Sequence, residues 1–559
     1  MPDFFNWTLA TGLRPYAVLT ALCALLFLPG LTSIPPIDRD EARFMQATKQ
    51  MLETGDLVHI SFQGEPRNKK PVGIYWLQAL AVKISGAQDL TSTWPYRLPS
   101  VFGAWLAVLA LFRYGKELFT PKIGFMAATM LATSLIVVVE AHIAKTDAVL
   151  LATVTIAMLV LAKFYTAQDS PLLPLSAALL FWIALGVGFL VKGPLILMVV
   201  GATIAALCIM DRRAHWLKAL HPESGIPVAL AVVLPWILAV SIGGGSSFFT
   251  DAFNQDLLPK LTGGQESHGA LPGVHIAALF ATAWPWSLLV PFAGVLAWRQ
   301  RANASVRFCI AWLLPSWLIF ELVPTKLPHY TMPLFPALML LIAAGLNDFS
   351  SFRKLLSQPL GFAYRIFWSL VCVVLGGAVV WAAYTYSPSP FISILALAVA
   401  ISAGVFGLLG LTRHTADRIL LGLGATGLLF GAVLAGGVVP KLERLAISQQ
   451  LTKISAPHRD PDTVMAIAGY HEPSAVFLLG TDTRLTSWDG ATGLLLSSEV
   501  DLMAIPTEDV PRAADEFAKW DMRVNELAVI EGRNYAKGED VRLTLIAASP
   551  LPTNEDPKP

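Results

Sequence analysis

The sequence predicts an α-helical polytopic membrane protein: about thirteen transmembrane helices, an outer loop carrying amphipathic helices, and a small C-terminal α/β domain. Three observations predict it. Hydrophobic residues make up 55% of the 559-residue chain and charged residues 14%, against about 25% charged in an ordinary soluble domain. The apolar residues fall in repeated runs of roughly 18 or more, long enough to cross a bilayer as helices. From Pro440 onward the hydropathy drops and short β-type runs take over.

Taken in order, apolar periods and Pro/Gly breaks place spans near 15–33, 97–112, 121–141, 147–166, 173–190, 193–210, 226–242, 273–297, 306–323, 329–346, 363–383, 390–411 and 417–439. The first run follows Arg14 and has no small-residue cleavage site before Asp38, so it is expected to stay as a signal anchor. The segment 71–86, "PVGIYWLQALAVKISG", is too short to span and has an aromatic-rich face, which suits a helix along or dipping into the interface. Residues 1–440 are thus read as the transmembrane domain, with an outer loop over 34–96, and 441–559 as the C-terminal domain. In the tail "VMAIAG", "AVFLLG", "LAVIEG" and "VRLTLIAA" read as strands and "PRAADEFAKW" as a helix.

Lys and Arg placement sets the orientation. Arg113, Lys116, Lys122, Arg212, Arg213, Arg299, Arg301, Arg353, Lys354 and Arg413 fall in one set of alternating loops. That set and the N-terminus are expected in the cytoplasm. The 34–96 loop, the turns near 143, 192 and 326, the 243–272 loop and the C-terminal domain are expected outside.

Several classes are excluded early. Net charge is +1 and no basic patch is interleaved with aromatics, so no nucleic-acid partner is expected. There is no P-loop and no G-x-G-x-x-G in a βαβ setting. Cys23, Cys208, Cys309 and Cys372 all sit in apolar runs, without zinc-site or disulfide spacing, and read as packing residues.

The stretch "IPPIDRDEARFMQATKQMLETGD", residues 34–56, follows the first span with a cluster of charges. At 100° per residue it puts Phe44, Met45, Thr48, Met51 and Leu52 on one face, with Arg43, Gln46, Lys49 and Glu53 opposite. The expectation is an amphipathic helix on the outer membrane surface, with Asp40 near its start aimed into the space the spans enclose. Three short outer turns each keep a lysine: "AKTD" (Lys145), "VKGP" (Lys192) and "PTKLPHY" (Lys326). A lysine there runs against the positive-inside bias and costs free energy unless it snorkels or pairs. Snorkelling accounts for any one alone. Three on the same face as Lys69 and Lys70 of "NKKP" favour convergence on an anion, best a phosphate at the membrane surface.

Acids accompany them. Asp147 is either an N-cap or a site carboxylate, Glu140 and His142 lie one turn earlier, and Asp40 with Glu41 is either a capping pair or part of a catalytic set. His268 in "GGQESHGALPG" and His329 in "KLPHY" are candidates for metal or acceptor binding; Tyr330 and Tyr75 join His268 and His329 as candidate substrate contacts. Cations for a leaving phosphate, a carboxylate for an attacking nucleophile and spans at lipid depth suit transfer of a sugar from a polyprenyl phosphate. Attack at the anomeric carbon passes through an oxocarbenium-like state while charge builds on the departing phosphate. Fixed cations facing that oxygen stabilise the transition state more than the ground state.

The residues also carry a resemblance. "RDEARFMQATKQMLETGD" followed by "KKPVGIYWLQA" resembles the first outer loop of the C-type glycosyltransferases, nearest the aminoarabinose lipid A transferases and the related protein O-mannosyltransferases. "AKTDAVLL", "VKGPL", "SHGALPG" and "TKLPHYTMPLFPALMLLIAAGL" resemble later stretches in the same order, and "AIAGYHEPSAVFLLG" resembles part of the family's outer domain. The resemblance implies an inverting enzyme of the bacterial inner membrane acting at the periplasmic face. It further implies a polyprenyl-phosphate sugar donor, a lipid A or other envelope-glycan acceptor, contact with membrane lipids, and a monomer. It implies Asp40 as the principal catalytic carboxylate with Asp147 as the second acid. Lys70 would meet the donor phosphate, joined by Arg43 and Lys192. No cofactor is assigned, and a divalent metal is left open. The pattern departs at Lys69, where aminoarabinose transferases tend to carry glutamate. A protonated lysine is no ligand, and the extra cation suggests a more anionic donor or acceptor. The alternatives are transfer to a protein hydroxyl and, from another class, a membrane transporter, against which stand the absence of internal repeats and charges gathered at the outer edge rather than the midplane.

Overall fold

The structure is a computed structural model, and it describes residues 8–9, 12–167, 174–242, 247–252, 254, 258–259, 269–460 and 462–550. Among these residues nine helices are long and apolar enough to cross a membrane, or eleven if two bent pairs each count as one span. The pairs are Pro121–Ala132 with Leu135–Ala141, bent by 60°, and Val274–Thr282 with Trp286–Arg299, bent by 118°. Two further apolar helices, Arg14–Phe27 and Leu195–Asp211, have 14 and 17 residues, short of the ~20 a straight span needs. Each of the thirteen expected spans falls on one of these elements. By length and composition, however, thirteen crossings become nine to eleven.

The first bend has a local cause. Thr133 Oγ1 and Ser134 Oγ bond back to the carbonyls of Thr129 and Met130, both at 2.7 Å, and Leu135 N turns to the Trp284 carbonyl instead. Such side-chain competition for the helix ladder is a known source of kinks. The central post is Asp147–Thr166, 89% buried, whereas Pro222–Ile242 and Pro359–Tyr386 are 22% buried and present their apolar sides outward. Two glycines bring the site's helices together. A Cβ on Gly103 would lie 2.8 Å from the Ala148 carbonyl oxygen, and one on Gly73 2.7 Å from that of Leu190. Gly73 thereby lets the helix Gly73–Ser85 touch the end of Leu175–Lys192, which puts Lys70 and Lys192 on one cavity. Gly73–Ser85 turns Tyr75, Gln78 and Val82 inward and leaves Trp76, Leu80 and Ile84 exposed in a row one turn apart, the pattern of an interfacial helix.

The outer loop departs from expectation in one respect. The rim helix Asp40–Thr54 forms as predicted, closed by Gly55 at φ 74°, but it does not lie with one face in water. Gln46, Thr48, Lys49 and Gln50 are buried along with Phe44, Met45, Ala47 and Met51. The C-terminal domain covers the polar side: Gln46 donates to Thr481 at 2.8 Å, Lys49 to the Phe477 carbonyl at 3.1 Å, and Thr481 to Glu53 at 2.8 Å. An amphipathic pattern shows which face is polar but not what covers it. After the rim helix, β1 (Ser61–Phe62) and β2 (Glu65–Pro66) form a small hairpin.

The C-terminal domain is a five-stranded mixed sheet of β3 (Met465–Ala468), β4 (Arg484–Thr486), β5 (Leu502–Pro506), β6 (Met522–Asn534) and β7 (Glu539–Pro550), in the order β4-β3-β5-β7-β6. β3 pairs in parallel with β4 and β5, while β7 runs antiparallel to β5 and β6. The run "AVFLLG", expected as a strand, is the helix Pro473–Leu479. It is the crossover between parallel β3 and β4, started by Pro473 and buried on one side by the sheet and on the other by the rim helix. The strands β4 and β5 were not expected; β4 has three residues and a polar sequence, too little for a periodic signal.

Candidate active site

A cavity of about 630 Å³ opens where the rim helix, the start of Asp147–Thr166, the end of Leu175–Lys192 and the turn before Phe335 meet. Ten residues singled out in the sequence line it: Asp40, Glu41, Arg43, Lys69, Lys70, Lys145, Asp147, Lys192, His329 and Tyr330. Seven cations and four carboxylates face it, beside an apolar flank of Phe248, Ile319, Phe320 and Leu327. The excess of cations suits an anion and the apolar flank suits an isoprenoid or acyl chain.

Asp40 opens the rim helix. The backbone turns there through Arg39, held at φ 66°, a conformation that a non-glycine residue adopts at a cost and that clusters at functional sites. Arg39 donates to the Ala536 carbonyl of the C-terminal domain. The Asp40 side chain is exposed to the cavity. Burial within the protein pushes its carboxyl up, but Lys145, Arg67, Lys70 and Arg43 outweigh this and hold it below the usual carboxylate range. Asp40 is therefore ionised at neutral pH.

Deeper in the cavity is a compact ion cluster. Lys192 donates to Asp147 Oδ1, over the ring of Tyr330 at 5.6 Å. Lys145 Nζ lies 3.1 Å from Glu140 and 3.6 Å from Asp147. His329 stands 3.6 Å from Glu140 and 3.7 Å from Asp147. Burial lowers the proton affinity of Lys145, but Glu140, Asp147 and Asp40 raise it further, so the ammonium persists. Asp147 thus serves the lysines: it fixes the directions of Lys145 and Lys192 instead of facing the cavity alone.

Three expectations are corrected. Glu41 lines the cavity, but Arg97 clamps its carboxylate at 2.9 and 3.0 Å, and the amides of Ile37 and Ala144 donate to it at 2.8 and 2.7 Å. Both side chains are completely buried. Glu41 ties the loop to the spans and has no lone pair left for chemistry. Lys326 points away from the cavity, donating to the carbonyls of Ala270 and Val323 at 2.9 and 2.7 Å; the backbone bridge between Gly269 and Thr325 beside it offers these acceptors. Tyr75 is fully buried against Phe44, ring centroids 5.4 Å apart, and belongs to the core. His268 lies outside the described residues. Among the described residues no three His, Cys, Asp or Glu side chains are gathered as a metal ion would require.

Two residues escaped the sequence reading, Arg67 and Arg97, and a third, Asp38, stood there only as part of the charge cluster after the first span. Arg67 lines the cavity with its guanidinium 5.4 Å from the Phe44 ring; nothing in "EPRNKK" separates it from its neighbours. Arg97 carried a signal, being a cation at the outer end of an apolar helix, as the three lysines are. Asp38 accepts from Tyr470 Oη at 3.1 Å and from the Ser474 amide at 3.2 Å, and its own amide donates to Tyr535. Burial pushes the Asp38 carboxyl up to about 6, with Glu472 adding to the rise and the Ser474 and Tyr470 hydrogen bonds opposing it. The C-terminal domain thus grips the loop two residues before Asp40.

Comparison with known proteins agrees with this arrangement. Residues 69–238 match the family model described as dolichyl-phosphate-mannose-protein mannosyltransferase. An undecaprenyl phosphate-alpha-4-amino-4-deoxy-L-arabinose arabinosyl transferase of Yersinia enterocolitica is 26% identical over 401 residues, 70% of this chain and 71% of the relative. One from Pseudomonas aeruginosa is 29% identical over 337 residues, 58% of this chain and 59% of the relative. The crystal structure of ArnT from Cupriavidus metallidurans bound to undecaprenyl phosphate superposes with a TM-score of 0.76 at 16% identity, covering 96% of this chain and 98% of that one. The chain has the fold of ArnT. The Archaeoglobus fulgidus oligosaccharyltransferase is a more distant match, with a TM-score of 0.53 at 12% identity over 93% of this chain and 71% of that one. This fold accounts for a cavity at one end of the spans: Asp147 and Lys192 come from helix termini, Lys145 from the turn before Asp147, and the loop after the first span brings Asp40 and Lys70 to the same cavity.

Proposed function

We propose that this protein is a C-type glycosyltransferase that moves a sugar, with inversion, from a polyprenyl (undecaprenyl) phosphate donor to lipid A or lipopolysaccharide at the periplasmic face, in the manner of an aminoarabinose transferase. The observation that carries the reading is the ionised Asp40 facing the same cavity as Lys70, Arg67 and Arg43. The lipid chain would lie along Phe248, Ile319, Phe320 and Leu327, and the phosphate among Lys70, Arg67 and Arg43, with the Lys145–Lys192 cluster behind it. As the anomeric C–O bond breaks, negative charge grows on the phosphate oxygen, where these cations stabilise it, and positive charge grows at the anomeric carbon, where Asp40 does. Asp147 and Glu140 act as positioning residues for the lysines. A carboxylate held below its usual range is a weak base. That supports a phosphate oxygen as the attacking group, since it is already ionised and has no proton to lose.

The relatives named for arabinosyl transfer support the lipid-linked donor. Lys69 extends the cationic wall and favours a strongly anionic acceptor or sugar. In this reading residues 1–440 lie in the membrane, the N-terminus in the cytoplasm and the 441–559 domain in the periplasm, on the Lys/Arg placement, and the protein acts as a monomer. A second reading, transfer to a protein hydroxyl, is favoured by the family model over 69–238. Purified protein given labelled polyprenyl-phosphate sugar and either lipid A or a Ser/Thr-rich peptide separates the two. Label moving to lipid A supports the first, and label moving only to peptide replaces it. Near-normal turnover by Asp40→Asn would exclude Asp40 from the chemistry.

A further inference from the structure

The second cavity, about 560 Å³, lies between the β1–β2 hairpin and the β4 edge of the C-terminal domain. Arg43, Arg67 and Lys69 line both cavities, so the two spaces share a wall. Facing that wall is Arg484, first residue of β4. Four cations stand against one carboxylate, Glu65. Neither Lys69 nor Arg484 forms a side-chain hydrogen bond or ion pair with the described residues. Arg67 is nine-tenths buried, and its Nε lacks a hydrogen-bond partner among them. Three other arginines of this domain are ion-paired: Arg512 with Asp489, Arg533 with Asp540, Arg542 with Glu531. A buried donor without a partner, as Arg67 Nε is, is rare in folded proteins and calls for an explanation, such as a bound ion.

The cleft is also preformed. The Gln63 amide donates to the carbonyls of Thr481 and Thr483 at 3.0 and 2.6 Å, and the Gln63 backbone N–H donates to Gln50 at 2.7 Å. The hairpin, the β4 edge and the rim helix are thus bound together, with Lys69 and Arg484 lining the one cleft between them. Unlike the reaction cavity, this one has no long apolar flank for a lipid chain.

We propose that the cleft binds the acceptor: it grips a phosphate on the acceptor's saccharide headgroup between Arg484 and the Arg67–Lys69 wall, leaving the reacting oxygen of the same headgroup to reach Asp40 past that wall. The inference rests on the glycolipid-acceptor reading above and gives the C-terminal domain a role in it. The donor occupies the reaction cavity and does not meet Arg484.

Full-length protein in lipid nanodiscs tests this by binding alone. The probes are a phosphorylated glucosamine-disaccharide lipid, its dephosphorylated form, and polyprenyl phosphate, each against wild type, Arg484→Ala and Arg484→Glu. Arg484 is exposed, so these variants fold. The expected result is a loss of about tenfold or more for the phosphorylated saccharide in Arg484→Glu and a smaller loss in Arg484→Ala, weakening with salt. The dephosphorylated form and polyprenyl phosphate should bind all three proteins equally. Unchanged binding of the phosphorylated saccharide in Arg484→Glu would overturn the proposal, and so would an equal loss for polyprenyl phosphate. Because no turnover is read, phosphorylated-saccharide binding that depends on Arg484 without sugar transfer to it would sink the proposed reaction and leave the binding site standing.

Discussion

Replacing Arg97 by methionine should unlock the loop that carries Asp40. Arg97 and Glu41 are both completely buried. Removing the guanidinium leaves Glu41 charged with two amide donors, and strips three carbonyls, Leu31 (3.1 Å), Ile34 (2.8 Å) and Pro35 (2.9 Å), of a partner. Breaking a buried pair on one side costs about 3–5 kcal/mol, because the surviving charge stays out of water. The orphaned carbonyls add to this unless water reaches them. Glu41→Gln keeps one acceptor and should cost less, about 2–3 kcal/mol. The double variant Arg97→Met/Glu41→Leu removes both charges and should cost clearly less than the two single losses added together. Thermal unfolding in detergent, followed by tryptophan fluorescence, reads the series; Arg97→Met should fall by roughly 5–10 °C. The exposed pair Arg512–Asp489 serves as control and should not move. An Arg97→Met protein within 1 °C of wild type, or a double variant showing full additivity, would refute the reasoning.

Other outcomes are expected. Asp40→Asn should slow transfer by about 10²–10³ while leaving polyprenyl-phosphate affinity intact or tighter, since a negative charge beside the phosphate is gone; steady-state kinetics with a binding isotherm checks this. Arg67→Met should weaken polyprenyl-phosphate binding about tenfold and raise the Asp40 carboxyl towards its ordinary value, seen as a shift in the acid limb of the rate profile. Lys326→Met should lower thermal stability without altering donor affinity, because its ammonium is held by carbonyls outside the cavity. For Asp38, raised to about 6 in the folded protein from an ordinary 3.8, the folded state binds the proton more tightly than the unfolded one. Stability should therefore fall as pH rises from about 4 to about 6 and level off above, by about 3 kcal/mol in all. Unfolding scans across that range should show the slope in wild type and lose it in Asp38→Asn.

Much of this was legible in the sequence for physical reasons that apply residue by residue. Apolar runs have to become helices because lipid offers no partner for backbone amides, so every expected span falls on a helical element. Cations at the outer ends of spans are costly unless used, which is why Lys145 and Lys192 could be picked from four-residue turns. Their pattern could not distinguish Lys326, because a lysine satisfied by carbonyls and one facing a cavity look alike in one dimension. Glu41 failed for the complementary reason: an acid one residue from Asp40 lies about 100° around the helix, and its partner Arg97 is 56 positions away. The count of thirteen is not confirmed: Thr133 and Ser134 bend one expected span, a local hydrogen-bond choice that hydropathy does not record, and Arg14–Phe27 and Leu195–Asp211 are shorter than a straight crossing. The covering of the rim helix depended on the helix Pro473–Leu479, some 430 residues later, whose run looked like a strand until its two buried faces were seen.

The central claim is that Asp40 and the cations around it transfer a sugar to a lipid A-type acceptor. Mass spectra of lipid A and core lipopolysaccharide from cells lacking the gene, complemented with wild type or with Asp40→Asn, test it most directly. The account predicts a sugar-sized mass increment that is present with wild type and absent both from the deletion strain and with Asp40→Asn. Identical spectra from all three strains would contradict it.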